Sequence, residues 1–163
     1  MLPSDHFVMM YNELFKMLEE RSHHDLTSYW KEIASLQQSI LGPYIERDGL
    51  KGMYEYWAHI IEEENCEAEM ALSEEYFEFT MHRCPSLSKN LDNDAGLFPL
   101  YCDHCAGWIE PVMKRYGYHL VYDMISRTEP RCTLRVYRDA GAASDYARGA
   151  RLLARPFGDE ESA

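Results

Sequence analysis

The chain has 163 residues, 46% of them hydrophobic and 13% aromatic, and a formal net charge of −12. That length and apolar content suit a single domain with its own core and argue against a disordered adaptor. An acidic balance without any basic stripe repels phosphate backbones, so no nucleic-acid partner is expected.

In chain order, the N-terminus carries an early Asp5 and has neither a basic n-region nor a long apolar h-region, so it does not read as a signal peptide. Ser4 or Asp5 can cap a first helix, in which Phe7, Met10, Tyr11, Leu14, Met17 and Leu18 recur at helical spacing. Asp25 can cap a second, with Leu26, Trp30, Ile33, Leu36 and Ile40 on one stripe, and Gly42-Pro43 is expected to end it. A third begins near Leu50 and turns Met53, Tyr54, Trp57, Ile60 and Ile61 inward.

The period then changes. β-compatible pieces at Met70–Leu72 and Tyr76–Met81 predict an antiparallel hairpin. Residues 85–99, rich in Pro, Asn and Asp, read as a long irregular connection of the kind that often carries function. A helix from about Cys102 to Tyr116 stops at Gly117, and strands over 118–126 and 132–138 form a second hairpin. The expected fold is α+β, with N-terminal helices packed on one face of an antiparallel sheet and a helix between two hairpins. It occupies 1–138 as a single domain, and 139–163 reads as a weakly structured tail with at most a weak helix over 142–154.

No run approaches the roughly 18–20 apolar residues of a membrane helix. A cytoplasmic protein without membrane partners is expected, so its five cysteines should be thiols, ligands or catalytic groups. Cys66, at the end of an acidic helix, is a bystander. Cys84 ends the first hairpin, Cys102 and Cys105 open the fourth helix, and Cys132 begins the last strand. Strand ends and a helix start can converge on one edge of the sheet, so Cys84, Cys132 and at least one of Cys102 and Cys105 are expected to cluster.

Four chemistries remain open for them. Cys-x-x-Cys supplies two zinc ligands from one turn, which makes Cys84, Cys102, Cys105 and Cys132 the metal candidates. A helix start also stabilises a thiolate, which allows a catalytic thiol, Cys84 or Cys105, with a histidine as base. A redox pair and structurally buried sulfur are the others. His82 and His104 are the candidate proton carriers, each within two residues of a candidate cysteine, and Thr80, His82 and Cys84 are expected on one side of their strand. Asp123, a carboxylate in an apolar strand, reads either as an inward ligand-binding group or as an edge residue. Trp108, one turn beyond Cys105, is expected over the site, with Trp30, Tyr54 and Trp57 as further aromatic candidates.

The runs His82–Ser86, Tyr101–Cys105 and Gly117–Arg138 together resemble the L-2-amino-thiazoline-4-carboxylic acid hydrolase-like family. There, a Cys-Pro follows a strand, a Cys stands near a helix start, and a Cys opens the final strand. The same order is similar to the wider vinyl-reductase-type ligand-binding domain of some aromatic-sensing regulators, where a helix-start Cys, an acidic residue and a late Cys bind structural zinc beside a buried small-molecule pocket. The resemblance covers about 80–138, with Cys84, Cys102 or Cys105, Asp123 and Cys132 at matching positions and Ser126 where the sensor pattern has a further Cys. It implies a small hydrolase acting on a heterocyclic or amide-type substrate, or else a non-catalytic small-molecule sensor with structural zinc. Either way the expected partner is a small molecule, with a homodimer as the oligomeric option.

Overall fold

The computed structural model describes residues 3–64, 66–126 and 128–151. Three helices come first: α1 (Pro3–Arg21), α2 (His23–Asp48) and α3 (Leu50–Glu64). Ser22 rather than Asp25 caps α2, its hydroxyl accepting from the Asp25 N–H at 3.0 Å. The expected stop at Gly42-Pro43 does not occur. Pro43 is exposed and sits inside α2, where it forfeits only the bond to the Ser39 carbonyl on the solvent side. Gly42 serves packing instead, because a Cβ there would lie 2.5 Å from the Tyr116 hydroxyl. The helix ends at Gly49, whose φ of 59° suits a residue without a side chain.

The sheet follows the expected hairpins: β1 (Glu67–Leu72), β2 (Tyr76–Arg83), β3 (His119–Ser126) and β4 (Arg131–Tyr137). All pairs are antiparallel, in the order β1-β2-β4-β3. Register places Phe77 opposite Val136, Phe79 opposite Leu134, Met81 opposite Cys132 and Tyr122 opposite Leu134. With a period of two, these side chains share one face. They pack there against Leu41, Met53 and Trp57 of the helical layer. The fold is α+β, as the element order predicts, and among the described residues no helix is long and apolar enough to cross a membrane.

Two differences concern the connections. Residues 85–99 are not wholly irregular, because Pro85–Asp92 form a helix, α4. Cys84 is its N-cap and Pro85 its first residue, a position where proline's missing N–H costs nothing. The remaining loop is tied down by the buried Asn12 of α1. Its amide nitrogen donates to the carbonyls of Ala95 (3.2 Å) and Gly96 (3.3 Å), and its oxygen accepts from the Phe98 N–H at 2.8 Å. Phe98 and Tyr101 thereby join Phe15, Leu26, Trp30 and Leu87 in a second core between α1, α2 and α4. Helix α5 (Asp103–Arg115) follows.

The tail also begins later than its composition suggests. Residues Ala140–Ala147 form α6, capped by Asp139, whose carboxylate accepts from the Ala142 N–H at 2.8 Å. α6 covers the outer face of β3 and β4, where Ala143 packs on Val121 and Tyr137. Arg135 is held there between the rings of Tyr76 (4.4 Å) and Tyr146 (4.1 Å) while it pairs with Glu78. The rest of the expected tail, 152–163, lies outside the described residues.

Candidate functional site

The site forms where β2 and β4 reach the helical layer. β2 ends at Arg83 and the chain turns at Cys84, whose N–H donates to the Pro130 carbonyl at 2.7 Å. This bond fastens the start of α4 to the connection between β3 and β4. The Cys84 sulfur faces inward and accepts from the Leu87 N–H at 3.4 Å. α5 starts alongside, with Cys102 as its N-cap and Cys105 one turn on.

Between these pieces lies a cavity of about 150 Å³. Cys84, Cys102, Cys105 and Cys132 all line it, so the expected cluster of cysteines exists. The remaining wall is mainly Trp57, Phe79, Tyr101, Tyr122 and Leu134, with Ser126 and Arg131 among the few polar side chains. Cys66 is half-buried and stays out of the lining, as expected for a bystander.

Burial dominates the electrostatics. It pushes the thiols of Cys84 and Cys105 up to about 11, and that of Cys132 up to about 12, with the neighbouring sulfurs adding to the effect on Cys84 and Cys132. The Tyr122 hydroxyl hydrogen-bonds with Cys105 and Cys132, and its own pKa is raised well above the usual value by burial and the nearby sulfurs. All these groups are neutral at pH 7.

His104 is the most constrained of the polar groups. Its Nδ1 contacts the Tyr101 carbonyl, which can only accept, so Nδ1 carries the proton. Nε2 is therefore the acceptor, and Cys105 Sγ donates to it at 3.5 Å. Phe15, Tyr101 and Trp108 surround the ring at centroid distances of 5.4, 5.0 and 4.4 Å. Burial lowers its pKa to about 4, outweighing the opposite effect of the Tyr101 carbonyl, so the imidazole stays neutral.

Not every sequence candidate reaches the cavity. His82 is exposed on the other face of the sheet, 3.4 Å from Glu69, and does not share a side with Cys84. The alternation that links them fails because Cys84 lies beyond the strand and turns into a helix cap. Asp123 also projects from the outer face, where its carboxylate accepts from the Arg151 N–H at 2.7 Å. Trp108 stands one layer back, behind His104, and makes an edge contact with Tyr11. Trp30 belongs to the second core, Tyr54 packs on Phe77, and Trp57 alone of the aromatic candidates lines the cavity. Tyr101, Tyr122 and Arg131 have no motif to announce them; Tyr101 and Arg131 adjoin Cys102 and Cys132 in sequence, and Tyr122 adjoins Asp123.

Among the described residues, no group of three His, Cys, Asp or Glu side chains is arranged to hold a metal ion. The four thiols ring the cavity without converging on a point, and Asp123 faces away from them. This arrangement of donors does not fit a resident zinc ion. No family model matches the chain, and no curated protein or solved structure matches it.

Proposed function

We propose that the protein is a binding domain for a small, largely apolar ring-type molecule, held in the cavity between the sheet, α4 and α5. The observation that carries this reading is a cavity of about 150 Å³, walled by apolar side chains and by neutral polar groups, with the Arg131 guanidinium as the one charged group in its lining. A volume of that order accepts a single six-membered ring. Trp57, Phe79 and Tyr122 supply its aromatic surface, and thiols supply soft, polarisable contacts. His104 Nε2 is a fixed acceptor whose present partner is a weak S–H donor, so an O–H or N–H on the ring would find a better bond there. The resemblance of residues 80–138 to aromatic-sensing domains points the same way.

Toluene and phenol make suitable probes, because they differ only in the donor. Both should raise the unfolding midpoint in a concentration-dependent way, since a ligand that binds only the folded state stabilises it by mass action. Phenol should bind more tightly, and should lose that advantage in His104→Asn. A midpoint that neither probe moves up to its solubility limit would refute the reading.

A thiol hydrolase is the second reading, favoured by one contact. Cys105 Sγ lies 3.5 Å from His104 Nε2, and the imidazole is oriented by the Tyr101 carbonyl, which is the arrangement of a nucleophile, a base and an orienting group. It ranks second because a thiol held up at about 11 beside an imidazole held down at about 4 keeps its proton on sulfur. Hydrolysis of a small amide or thiazoline that disappears in Cys105→Ser would establish it.

A further inference from the structure

Beside the cavity lies a second, polar cleft of about 380 Å³, bounded by the end of β2, α4 and the connection between β3 and β4. Arg131 lines both spaces, so the apolar cavity and the polar cleft adjoin at this residue. The cleft presents both signs of charge: Arg83 and Arg131 on one hand, Glu67, Asp92 and Glu129 on the other. Its ion pairs are loose. Arg83 stands 3.7 Å from Asp92 and Arg131 3.3 Å from Glu129, with all four side chains about half exposed or more. Exposed pairs of this kind contribute little, so an incoming ligand can displace them at small cost.

One group in the wall is out of keeping with a solvated surface. Ser88 is 7% exposed, and its hydroxyl has no hydrogen-bond partner. A buried hydroxyl without a partner is unfavourable, and this one borders the cleft.

We propose that the cleft is the second half of the ligand site and takes a zwitterionic α-amino acid head, with the attached ring or side chain in the cavity. The proposal rests on the binding function argued above. A carboxylate fits between Arg83 and Arg131 and can accept from the Ser88 hydroxyl. An ammonium group fits the carboxylates of Glu67, Asp92 and Glu129, which stand beside those arginines. A purely anionic ligand would meet three carboxylates with two guanidinium groups, and a purely cationic one would leave both guanidinium groups unanswered. Only a head with both charges answers the two signs of charge in the cleft at once. The ligand class is thus an α-amino acid with an apolar, ring-sized side chain.

Calorimetric titration with four probes that share the ring tests this: toluene, 3-phenylpropanoate, 2-phenylethylamine and L-phenylalanine. L-phenylalanine should bind at least tenfold more tightly than each of the others. Arg83→Gln, at an exposed position that leaves the fold intact, should erase its advantage over 2-phenylethylamine while leaving toluene binding unchanged. If toluene binds and L-phenylalanine binds no more tightly, the cleft proposal fails and the cavity reading stands. An advantage that Arg83→Gln and Arg131→Gln both leave intact also overturns the proposal. If no probe binds, both readings fall together.

Discussion

His104 offers the sharpest test of the site's electrostatics. Its imidazole is 6% exposed and titrates near 4 in the folded protein, against 6.5 for an unperturbed histidine. Between those values the unfolded chain holds a proton that the folded chain does not. Stability therefore falls as pH falls through this window, and the contribution is fully present above pH 6.5. A difference of this size is worth about 3 kcal/mol over the whole window, or somewhat over 2 kcal/mol by pH 4.5. Carboxylates titrate in the same region, so the comparison needs a variant. In His104→Asn the amide nitrogen can replace Nδ1 as donor to the Tyr101 carbonyl while the titrating ring is removed. Urea unfolding at pH 7.0, 6.0, 5.0 and 4.5 should show the wild type losing about 2 kcal/mol more than the variant. Parallel pH profiles would refute the assignment of a buried, neutral imidazole.

Two other outcomes follow from the geometry. Asn12→Ala removes three bonds to the 95–98 loop and should cost about 2–3 kcal/mol, seen as a lower urea midpoint and faster amide exchange at Phe98; unchanged exchange would mean that the loop is held by something else. Protein dialysed against EDTA should melt where untreated protein does and carry far less than one zinc per chain, whereas a midpoint that drops on chelation would show the four thiols drawing together around a metal.

The fold was legible because its signals are local. Helical spacing in Phe7–Leu18, alternation in Tyr76–Met81 and the stop at Gly117 each decide an element without reference to the rest. The clustering of the cysteines was legible for a related reason: strand ends and helix starts meet where layers meet. The faces of β3 were not. Alternation correctly groups Asp123 with Val121, but the side that faces the helices cannot be read, because Val121 (5% exposed) and Tyr122 (7%) are both buried. α6 makes the difference by covering the outer face, and its Ala- and Gly-rich sequence carries almost no amphipathic signal. The same dependence on distant partners hid the continuation of α2 through Pro43. A proline usually ends a helix, and only the packing of Gly42 under Tyr116 and the stop at Gly49 show why this one does not. Arg131 was not legible, because a single arginine at the start of a strand has no pattern.

The cavity and the fold are linked by energy as well as by position. An apolar cavity of about 150 Å³, if left unfilled, costs on the order of 24 cal/mol per Å³, or about 4 kcal/mol. Small domains have a total stability of only about 5–15 kcal/mol. Larger residues could fill the space at several wall positions, for the cysteines are small and the walls at Cys84, Cys102, Cys105 and Cys132 are otherwise apolar. Cys84 and Cys102 cap helices, Cys105 lies in the first turn of α5 and Cys132 near the start of β4. The last three pack against the main core around Phe77 and Met113, so a leucine there would extend that core into the cavity. The sequence therefore forgoes stability that ordinary core packing would supply, and it does so at four places around one volume. On the binding function proposed above, an occupant would recover that energy through its own contacts and tie the stability of this region to its concentration.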